Sequence, residues 1–388
     1  MTLNDLGYVN RGRSKHRPRN APELYGGPYP FVQTADIKHA DLYLTKYGQT
    51  YSELGLAQSR LWPAGTLCIT IAANIADTAI LGCEACFPDS VIGFIPDEDK
   101  CDVRYVKYLF DTQLQTAFKQ LSQGVAQDNL SKDKLLSIKF CVPDLPVQRR
   151  IADVLSAYDD LIENSRRRIA ILEETARLTY RKWFGGMGQS WVAKHGKVSD
   201  FFDVSIGRTP PRKKDEYFST ELTDLKWLSI KDMRASRVFA LDTTEKLTKA
   251  GIEKTHIHVS PPGTIFLSFK LTVGEVVIAA DSMATNEAIA HFETDDRALR
   301  DYTYFYLSSF QYDKLGSTSA IARAINSDIV RKMEFVLPTR NSLKSFEKKV
   351  APMLDQIEKL SKQNAVLAAT RNMLLPRLMK GQSCFSSL

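Results

Sequence analysis

Mostly apolar side chains recur at alternating steps of four and three along residues 151–184, and the same pattern returns 195 residues later. This spacing places the side chains on one face of an α-helix, which we call the seam. We expect the seam to pack against another helix. The first seam consists of Ile151, Leu155, Tyr158, Ile162, Ser165, Ile169, Leu172, Ala176, Thr179 and Trp183. The second consists of Phe346, Val350, Met353, Ile357, Leu360, Asn364, Leu367, Arg371, Leu374 and Leu378. The chain is therefore predicted to contain two copies of one long helix.

The repetition continues in the segment that precedes each helix. Residues 9–14 (VNRGRS) correspond to 204–209 (VSIGRT), and residues 63–67 (PAGTL) correspond to 261–265 (PPGTI). Between these motifs, short β-branched and aromatic runs alternate with helical spacing, which predicts mixed α/β (α+β) units. The predicted partition is a globular domain 1–143, a helix 144–184, a globular domain 185–338, a helix 339–380 and a tail 381–388.

The two helices are predicted to differ in regularity. The first begins after the Pro-Asp-Leu-Pro run of 143–146 and ends before Gly185, with no internal glycine or proline after its first turn. The second contains Pro352 and Pro376, each of which removes a backbone donor. We expect kinks there and an unbroken helix only from Met353 to Leu375.

Composition favours an intracellular chain with two cores. The 388 residues are 44% hydrophobic, and the first residues lack the apolar core of a signal peptide. No segment is apolar enough to span a bilayer, so we expect a cytoplasmic protein that contacts no membrane. Cys83 and Cys86 have the spacing of half a zinc site, with Cys101 further along, but no second pair completes four ligands. No metal site is predicted.

Two clusters of basic residues occupy matching loops of the two copies. The first comprises Arg11, Arg13, Lys15, Arg17 and Arg19, and the second comprises Arg208, Arg212, Lys213 and Lys214, with Thr209 beside them. Long cationic side chains in such loops can reach phosphates and base edges. A single basic run is usually a solvated surface, but its recurrence in both copies favours nucleic-acid contact.

Three further residues are candidate base readers. Arg323 lies in another loop of the second domain, and arginine binds guanine through two hydrogen bonds. Gln127 and Asn129 could read adenine in the same way. A loop-capping role explains the two amides equally well.

No catalytic residue is predicted. The chain lacks the Asn-Pro-Pro-aromatic and Asp-Pro-Pro-Tyr tetrapeptides of base-amine methyltransferases, and it lacks a phosphate-cradling Gly-x-x-x-x-Gly-Lys-Ser/Thr loop. Its six histidines form no His-Glu-x-x-His pattern, and no Gly-x-Ser-x-Gly elbow occurs. We therefore expect a protein without catalytic activity and without a cofactor of its own.

The chain resembles the specificity subunits of Type I restriction-modification enzymes over almost its whole length. The similar segments are GRTP at 207–210, LSIKD at 228–232, PGT at 262–264, VPDLPVQ at 142–148 and NMLLPRL at 372–378. The chain departs from the family pattern in two segments. Val147 stands where an acidic residue is usual, and the first copy reads Gly-Arg-Ser-Lys at 12–15 instead of Gly-x-Thr-Pro.

The resemblance implies two target recognition domains separated by two long helices that pack antiparallel as a coiled coil, with pseudo-twofold symmetry. It also implies double-stranded DNA as a partner and two methyltransferase subunits that carry S-adenosylmethionine. Motor-nuclease restriction subunits, which use ATP and Mg²⁺, complete the implied complex. A helix of about 38 residues spans roughly 57 Å, more than one turn of B-DNA at about 34 Å. We therefore expect an asymmetric, bipartite target whose two half-sites are separated by a gap that the helices set.

Other interpretations stay open. A free-standing nuclease or methyltransferase is disfavoured by the missing motifs. A coiled-coil scaffold that does not bind DNA would explain the helices but not the matched basic loops. A specificity module of a related phage-defence or fused restriction system would share every feature described so far.

Overall fold

The computed structural model describes residues 1–16, 18–72, 75–122, 132–186, 189–270, 272–315 and 325–380. The chain divides into two compact units. Unit 1 comprises Met1–Asn164 together with Ala365–Leu388, and unit 2 comprises Ser165–Asn364. No helix of the described residues combines the length and the apolar character that crossing a membrane requires.

Unit 1 is built around a five-stranded sheet flanked by helices. The strands follow the order β1-β7-β5-β6-β3, and all neighbours are antiparallel except β3 and β6. A separate ribbon pairs β2 with β4. The strands are β1 Gly7–Arg11, β2 Tyr25–Phe31, β3 Tyr43–Leu44, β4 Gln49–Tyr51, β5 Leu67–Thr70, β6 Thr78–Leu81 and β7 Val91–Pro96. The helices are α1 Leu3–Leu6, α2 Thr34–His39, α3 Glu53–Ala57, α4 Val103–Ser122, α5 Lys132–Ser137 and α6 Leu145–Phe184, of which α6 continues into unit 2.

Unit 2 repeats this arrangement. Its five-stranded sheet has the order β9-β17-β14-β15-β12, and a four-stranded sheet, β10-β13-β11-β16, replaces the small ribbon. The strands are β8 Val192–Lys197, β9 Ser205–Ile206, β10 Phe218–Ser219, β11 Leu225–Leu228, β12 Phe239–Ala240, β13 Glu245–Leu247, β14 Ile265–Ser268, β15 Val276–Ala279, β16 Met283–Thr285, β17 Ile289–Phe292 and β18 Glu334–Pro338. The helices are α7 Ile230–Ala235, α8 Lys249–Thr255, α9 Arg297–Ser309, α10 Ser327–Lys332 and α11 Arg340–Lys380, of which α11 continues into unit 1.

The internal repeat extends to single hydrogen bonds. Gly65 and Gly263 both have positive φ, at 82° and 89°, and each donates its N–H at 2.8 Å to a strand carbonyl of its own unit. The next residue in each copy, Thr66 or Thr264, turns its hydroxyl back to the carbonyl three residues earlier. Glycine is required at both turns because a side chain disfavours this backbone conformation. The predicted internal repeat is confirmed.

The long helices run antiparallel, as the contacts inside each unit show. In unit 1, Ile151 and Leu155 near the start of α6 share a core with Leu378 and Met379 near the end of α11. In unit 2, the end of α6 meets the start of α11, where the rings of Tyr180 and Phe184 contact Phe346. Each unit therefore contains a part of each helix, and the predicted antiparallel helix pair is confirmed.

The seam residues lie on the inner faces of these helices. On α6 the buried members are Ile151, Leu155, Ile162, Ser165, Ile169 and Ala176, while Tyr158, Leu172, Thr179 and Trp183 are half-buried. On α11 the buried members are Phe346, Val350, Ile357 and Leu360, while Met353, Asn364, Leu367, Arg371, Leu374 and Leu378 are half-buried. Residues off the predicted seam, such as Ala152 and Leu354, are buried as well.

The predicted interruption of the second helix is wrong. α11 is continuous from Arg340 to Lys380 and passes through both Pro352 and Pro376. Each proline removes one backbone hydrogen bond, but Pro352 is exposed, so water can reach the carbonyl that this leaves without a donor. Packing of the seam then keeps the helix continuous across both sites.

A buried polar triad joins three helices inside unit 1. The Tyr108 hydroxyl on α4 donates to Asp159 on α6 at 2.5 Å, and the Arg371 guanidinium on α11 donates to the other carboxylate oxygen. The Asp159 side chain is only 6% exposed, and burial is the largest cause of the raised Tyr108 pKa. At the repeat positions 195 residues away, unit 2 has Leu354 for Asp159 and Ala176 for Arg371. The triad therefore belongs to one copy only.

We predict that Arg371→Ala destabilises unit 1 by about 3 kcal/mol, because it leaves a buried carboxylate without its cation. Arg377→Ala removes an exposed arginine from the same helix and serves as the control. The double variant Asp159→Leu, Arg371→Ala introduces the apolar pair found in unit 2, and it should recover part of the stability that Arg371→Ala loses. Urea denaturation of the full chain measures all three, and equal midpoints for Arg371→Ala and Arg377→Ala would contradict the assignment.

Candidate nucleic-acid interface

Both basic loops leave their sheet through the same backbone arrangement. In unit 1, Gly12 donates its N–H to Val91 O at 2.8 Å and Arg13 donates to Phe87 O at 3.0 Å. In unit 2, Gly207 donates to Ile289 O at 3.0 Å and Arg208 donates to Thr285 O at 2.9 Å. The two loops thus start at equivalent points of the two sheets.

The glycine at each loop start is required by close packing. A Cβ on Gly12 would lie 2.3 Å from Pro88 O, and a Cβ on Gly207 would lie 2.1 Å from Asn286 O. Both atoms belong to the backbone, so neither can move away as a flexible side chain could. The two glycines therefore hold the basic loops against the strands that support them.

The basic side chains of the unit 1 loop fall into two groups. Arg11 donates from Nε to the carbonyl of Asp89, and Arg19 pairs with the Asp89 carboxylate at 3.0 Å. Arg13 and Lys15 are exposed, and within the described residues their side chains have no hydrogen bond or ion pair. These two cations are therefore available to a ligand. Arg17 lies outside the described residues.

The unit 2 loop divides in the same way. Arg212 pairs with Glu245 at 2.7 Å and lies over the rings of Phe218 and Trp227, at 4.5 and 4.7 Å from their centroids. Arg208 donates to Thr255 O at 2.8 Å. Aromatic faces attract a guanidinium through their quadrupole, so Arg212 is held in place.

Beyond Arg212 the loop presents cations that lack such support. Lys213 and Lys214 are exposed and, among the described residues, have no side-chain partner. Thr209 instead hydrogen-bonds the carboxylate of Glu287 and thereby lowers the pKa of that group. Thr209 therefore anchors the loop, and the two lysines are its free charges.

Three predicted reader residues cannot be placed. Gln127 and Asn129 fall within 123–131, and Arg323 falls within 316–324, both outside the described residues.

Arg60, a cation of unit 1 outside the basic loop, was not among the predicted site residues. Its guanidinium lies 4.3 Å from the Trp62 ring centroid and 5.0 Å from that of Tyr8, and it donates to the Tyr8 hydroxyl at 2.7 Å. The Asn10 amide donates to the same hydroxyl at 2.8 Å. Tyr8 and Asn10 are two residues apart and so lie on the same face of β1. This spacing was the sequence signal that could have pointed to the polar cluster around Arg60.

The two loops rest on different side chains. In unit 1 the rings of Trp62 and Phe87 stack at 4.8 Å, and Gly93 leaves the space for them. The hydrogen-bond pattern matches Trp62 to Ser260, Phe87 to Thr285 and Gly93 to His291, each 198 residues later. An aromatic support in one unit is therefore replaced by a polar support in the other.

The polar support of unit 2 is centred on His291, which has no exposed surface. Its Nδ1 lies 3.0 Å from the Ser205 hydroxyl and 3.2 Å from the Ser260 hydroxyl, and its Nε2 lies 2.6 Å from the Thr285 hydroxyl. Burial lowers the pKa of His291 to about 3, so the ring is neutral at pH 7.

The cysteines of the possible half zinc site lie apart in the packing. Cys86 is fully buried in a small core with Phe31 and Tyr51, whereas Cys101 is buried in the main core of unit 1. Burial raises the pKa of Cys101 to about 12, so its thiol is protonated at neutral pH. Cys86 and Cys101 therefore contribute to packing.

We predict that Gly207→Ala destabilises unit 2 by about 1–3 kcal/mol, because the new Cβ meets backbone atoms. Gly186→Ala is the matched control, since a Cβ there meets no atom within 4 Å. Urea denaturation of the full chain compares the two variants. If both unfold at the midpoint of the wild type, the loop does not depend on close packing at Gly207.

Comparisons with known proteins agree on one family. The family model described as "Type I restriction modification DNA specificity domain" matches residues 1–174 and again residues 193–367. The "Type I restriction enzyme MjaIX specificity subunit" of Methanocaldococcus jannaschii is 24% identical over 98% of this chain and 92% of its own length. The "Type I restriction enzyme HindI specificity subunit" of Haemophilus influenzae is 28% identical over 50% of this chain and 42% of its own length.

A solved structure shares the fold. The crystal structure of the Type-I restriction-modification system S subunit from M. genitalium superposes with a TM-score of 0.63. The alignment covers 98% of this chain and 95% of that one, at 14% sequence identity.

Proposed function

Because this chain belongs to the family of Type I restriction-modification DNA specificity domains and is a specificity subunit with two such domains, we propose that each unit reads one half-site of an asymmetric DNA target. Specificity subunits are the non-catalytic, DNA-recognition component of these systems. The protein then selects the DNA on which its partners act, in the cytoplasm.

The observation that carries this proposal is the matched pair of basic loops. Arg13 and Lys15 in unit 1 and Lys213 and Lys214 in unit 2 are exposed and unpaired among the described residues, and their loops start at equivalent strand positions. Unpaired cations gain most from phosphate contact because they do not first have to leave an ion pair. Arg212 is oriented by two rings and contacts Glu245 through Nη1, which leaves its other guanidinium N–H groups for bidentate recognition of guanine.

The proposed asymmetry follows from the different supports beneath the loops. Unit 1 offers Arg60 and Tyr8 beside its loop, while His258 takes the place of Arg60 in unit 2. Readers with different donors and acceptors recognise different base edges. We propose that α6 and α11, at 40 and 41 residues, set the number of unread base pairs between the half-sites.

We predict that Lys213→Ala with Lys214→Ala, and separately Arg13→Ala with Lys15→Ala, weaken DNA binding by the complex of this chain with its methyltransferase partner. Each lost phosphate contact lowers the slope of log affinity against log salt by about 1. Fluorescence anisotropy with a target duplex at several salt concentrations measures the slope. Lys249→Ala, at an 88% exposed lysine on α8, controls for net charge.

Slopes equal to that of the wild type in both double variants would contradict the assignment of the loops. Absence of sequence-selective binding by the wild-type complex would instead favour the scaffold interpretation. The two results separate a wrong choice of residues from a wrong function.

We further propose that the chain docks two methyltransferase subunits on equivalent helix faces. On α6, Ile171 and Leu178 are 67% and 52% exposed, and their repeat counterparts on α11, Val366 and Met373, are 65% and 60% exposed. Large apolar side chains two helical turns apart form an uncovered stripe, which is typical of a protein interface. The same stripe occurs once in unit 2 and once in unit 1, as docking of two identical partners requires.

In this proposal the bound methyltransferases carry S-adenosylmethionine, and the motor-nuclease subunits that join them carry ATP and Mg²⁺. The specificity chain then contributes the DNA contacts and the docking faces. Recognition and chemistry are divided between different polypeptides.

We predict that Ile171→Asp with Leu178→Asp removes one of two bound methyltransferase subunits, since burying a charge in an apolar interface is unfavourable. Val366→Asp with Met373→Asp should remove the other. Native mass spectrometry of the reconstituted complex counts the subunits. Leu222→Asp, at an 83% exposed leucine of unit 2 outside the helices, should leave two bound, and a full complement in either double variant would rule out these faces.

A further inference from the structure

We propose that unit 2 contains a binding site for one divalent transition-metal ion, such as Zn²⁺, formed by His258, His291 and Glu293. No comparison assigns a metal to this chain, and the inference does not depend on the proposed reading of DNA. It rests on three side chains that the fold brings together. His258 precedes β14, His291 lies in β17 and Glu293 directly follows β17.

The three side chains already lie at near-coordinating distances. One ligand atom from each can be chosen so that all three lie within 4.8 Å of one another. His258 Nε2 and Glu293 Oε1 are 2.6 Å apart, and the two histidine rings stack with centroids 5.8 Å apart. Zinc bonds of roughly 2.0–2.2 Å place tetrahedral ligand atoms about 3.4 Å apart, so side-chain adjustments of about an ångström complete the geometry.

Two of the three ligands are free to make that adjustment. The side chains of His258 and Glu293 are 46% and 34% exposed, so they can rotate toward an ion without disturbing the core. His291, in contrast, is fixed inside the unit and provides the rigid ligand. Solvent reaches the site through these two partly exposed side chains, so water can supply a fourth ligand.

Hydroxyl groups orient the rigid ligand. Both ring nitrogens of His291 have hydroxyl neighbours, from Ser205 and Ser260 at Nδ1 and from Thr285 at Nε2. A hydroxyl can donate or accept, so whichever nitrogen binds the ion, the other keeps an oxygen partner. Metal-bound histidines typically have such a partner, which fixes the ring and tunes its basicity.

Unit 1 lacks the entire set. At the positions 198 residues earlier it has Arg60, Gly93 and Ile95, none of which can bind a metal ion through its side chain. All three ligands are therefore replaced together in the other copy of the same fold. The expected stoichiometry is one ion per chain.

A bound ion would act directly on the base of the unit 2 loop. Thr285, which contacts His291, also accepts the Arg208 N–H and packs against Gly207. An ion on this support would stiffen the loop start. It would also replace the negative charge of Glu293 by a positive one.

The test is a Co²⁺ titration of the tag-free full chain after removal of bound metals, followed by visible absorption and competition with Zn²⁺. The wild type should bind one Co²⁺ per chain, and Zn²⁺ should displace it. His258→Ala and Glu293→Gln change the two side chains that solvent reaches and should each weaken binding at least about tenfold. His195→Gln and His256→Asn, which alter other exposed histidines of unit 2, should stay within about twofold of the wild type.

Thermal unfolding gives a second readout. Zn²⁺ should raise the unfolding temperature of the wild type and of both control variants, but not that of His258→Ala. The proposal is overturned if the wild type binds no Co²⁺ at saturation, if both ligand variants bind as tightly as the wild type, or if a control variant loses binding to the same extent.

Discussion

Neither long helix buries its apolar seam inside one unit. The first half of α6 packs in unit 1 and its second half in unit 2, while α11 runs the other way. Each unit therefore completes its core with a piece of both helices, and removing either helix would expose apolar surface in both. This shared burial joins the two units through continuous helix.

Sequence periodicity predicted the elements that depend on local rules. The seams, the repeat and the central strands follow from apolar spacing and from turn residues such as Gly65 and Gly263, because each requires a particular side chain at a particular backbone position. The continuity of α11 was not predictable in this way. Proline penalties are local, whereas the packing that outweighs them comes from residues far away in the sequence.

The candidate interface was predictable in position but not in detail. The basic loops could be located from composition and repetition, yet their sequence does not show that Arg19 is paired with Asp89 and Arg212 with Glu245, while Arg13 and Lys213 stay unpaired. The ion pairs join residues between 33 and 70 positions apart, and Arg13 and Lys213 are without a partner only as far as the described residues show. The contacts of Arg60 and of the histidine cluster of unit 2 were not predictable for the same reason, because they join residues far apart in the sequence. His258 and His291 come together through the pairing of β14 with β17.

In the proposed function, two unlike units of one duplicated chain each read their own half-site. Mapping of methylated bases across the genome of cells that express this chain with its methyltransferase partner tests it most directly. We expect one bipartite motif with two different half-sites and a fixed gap, and exchange of the unit 2 loop for that of a relative should change one half-site only. A single uninterrupted motif, or a change in both half-sites, would contradict it.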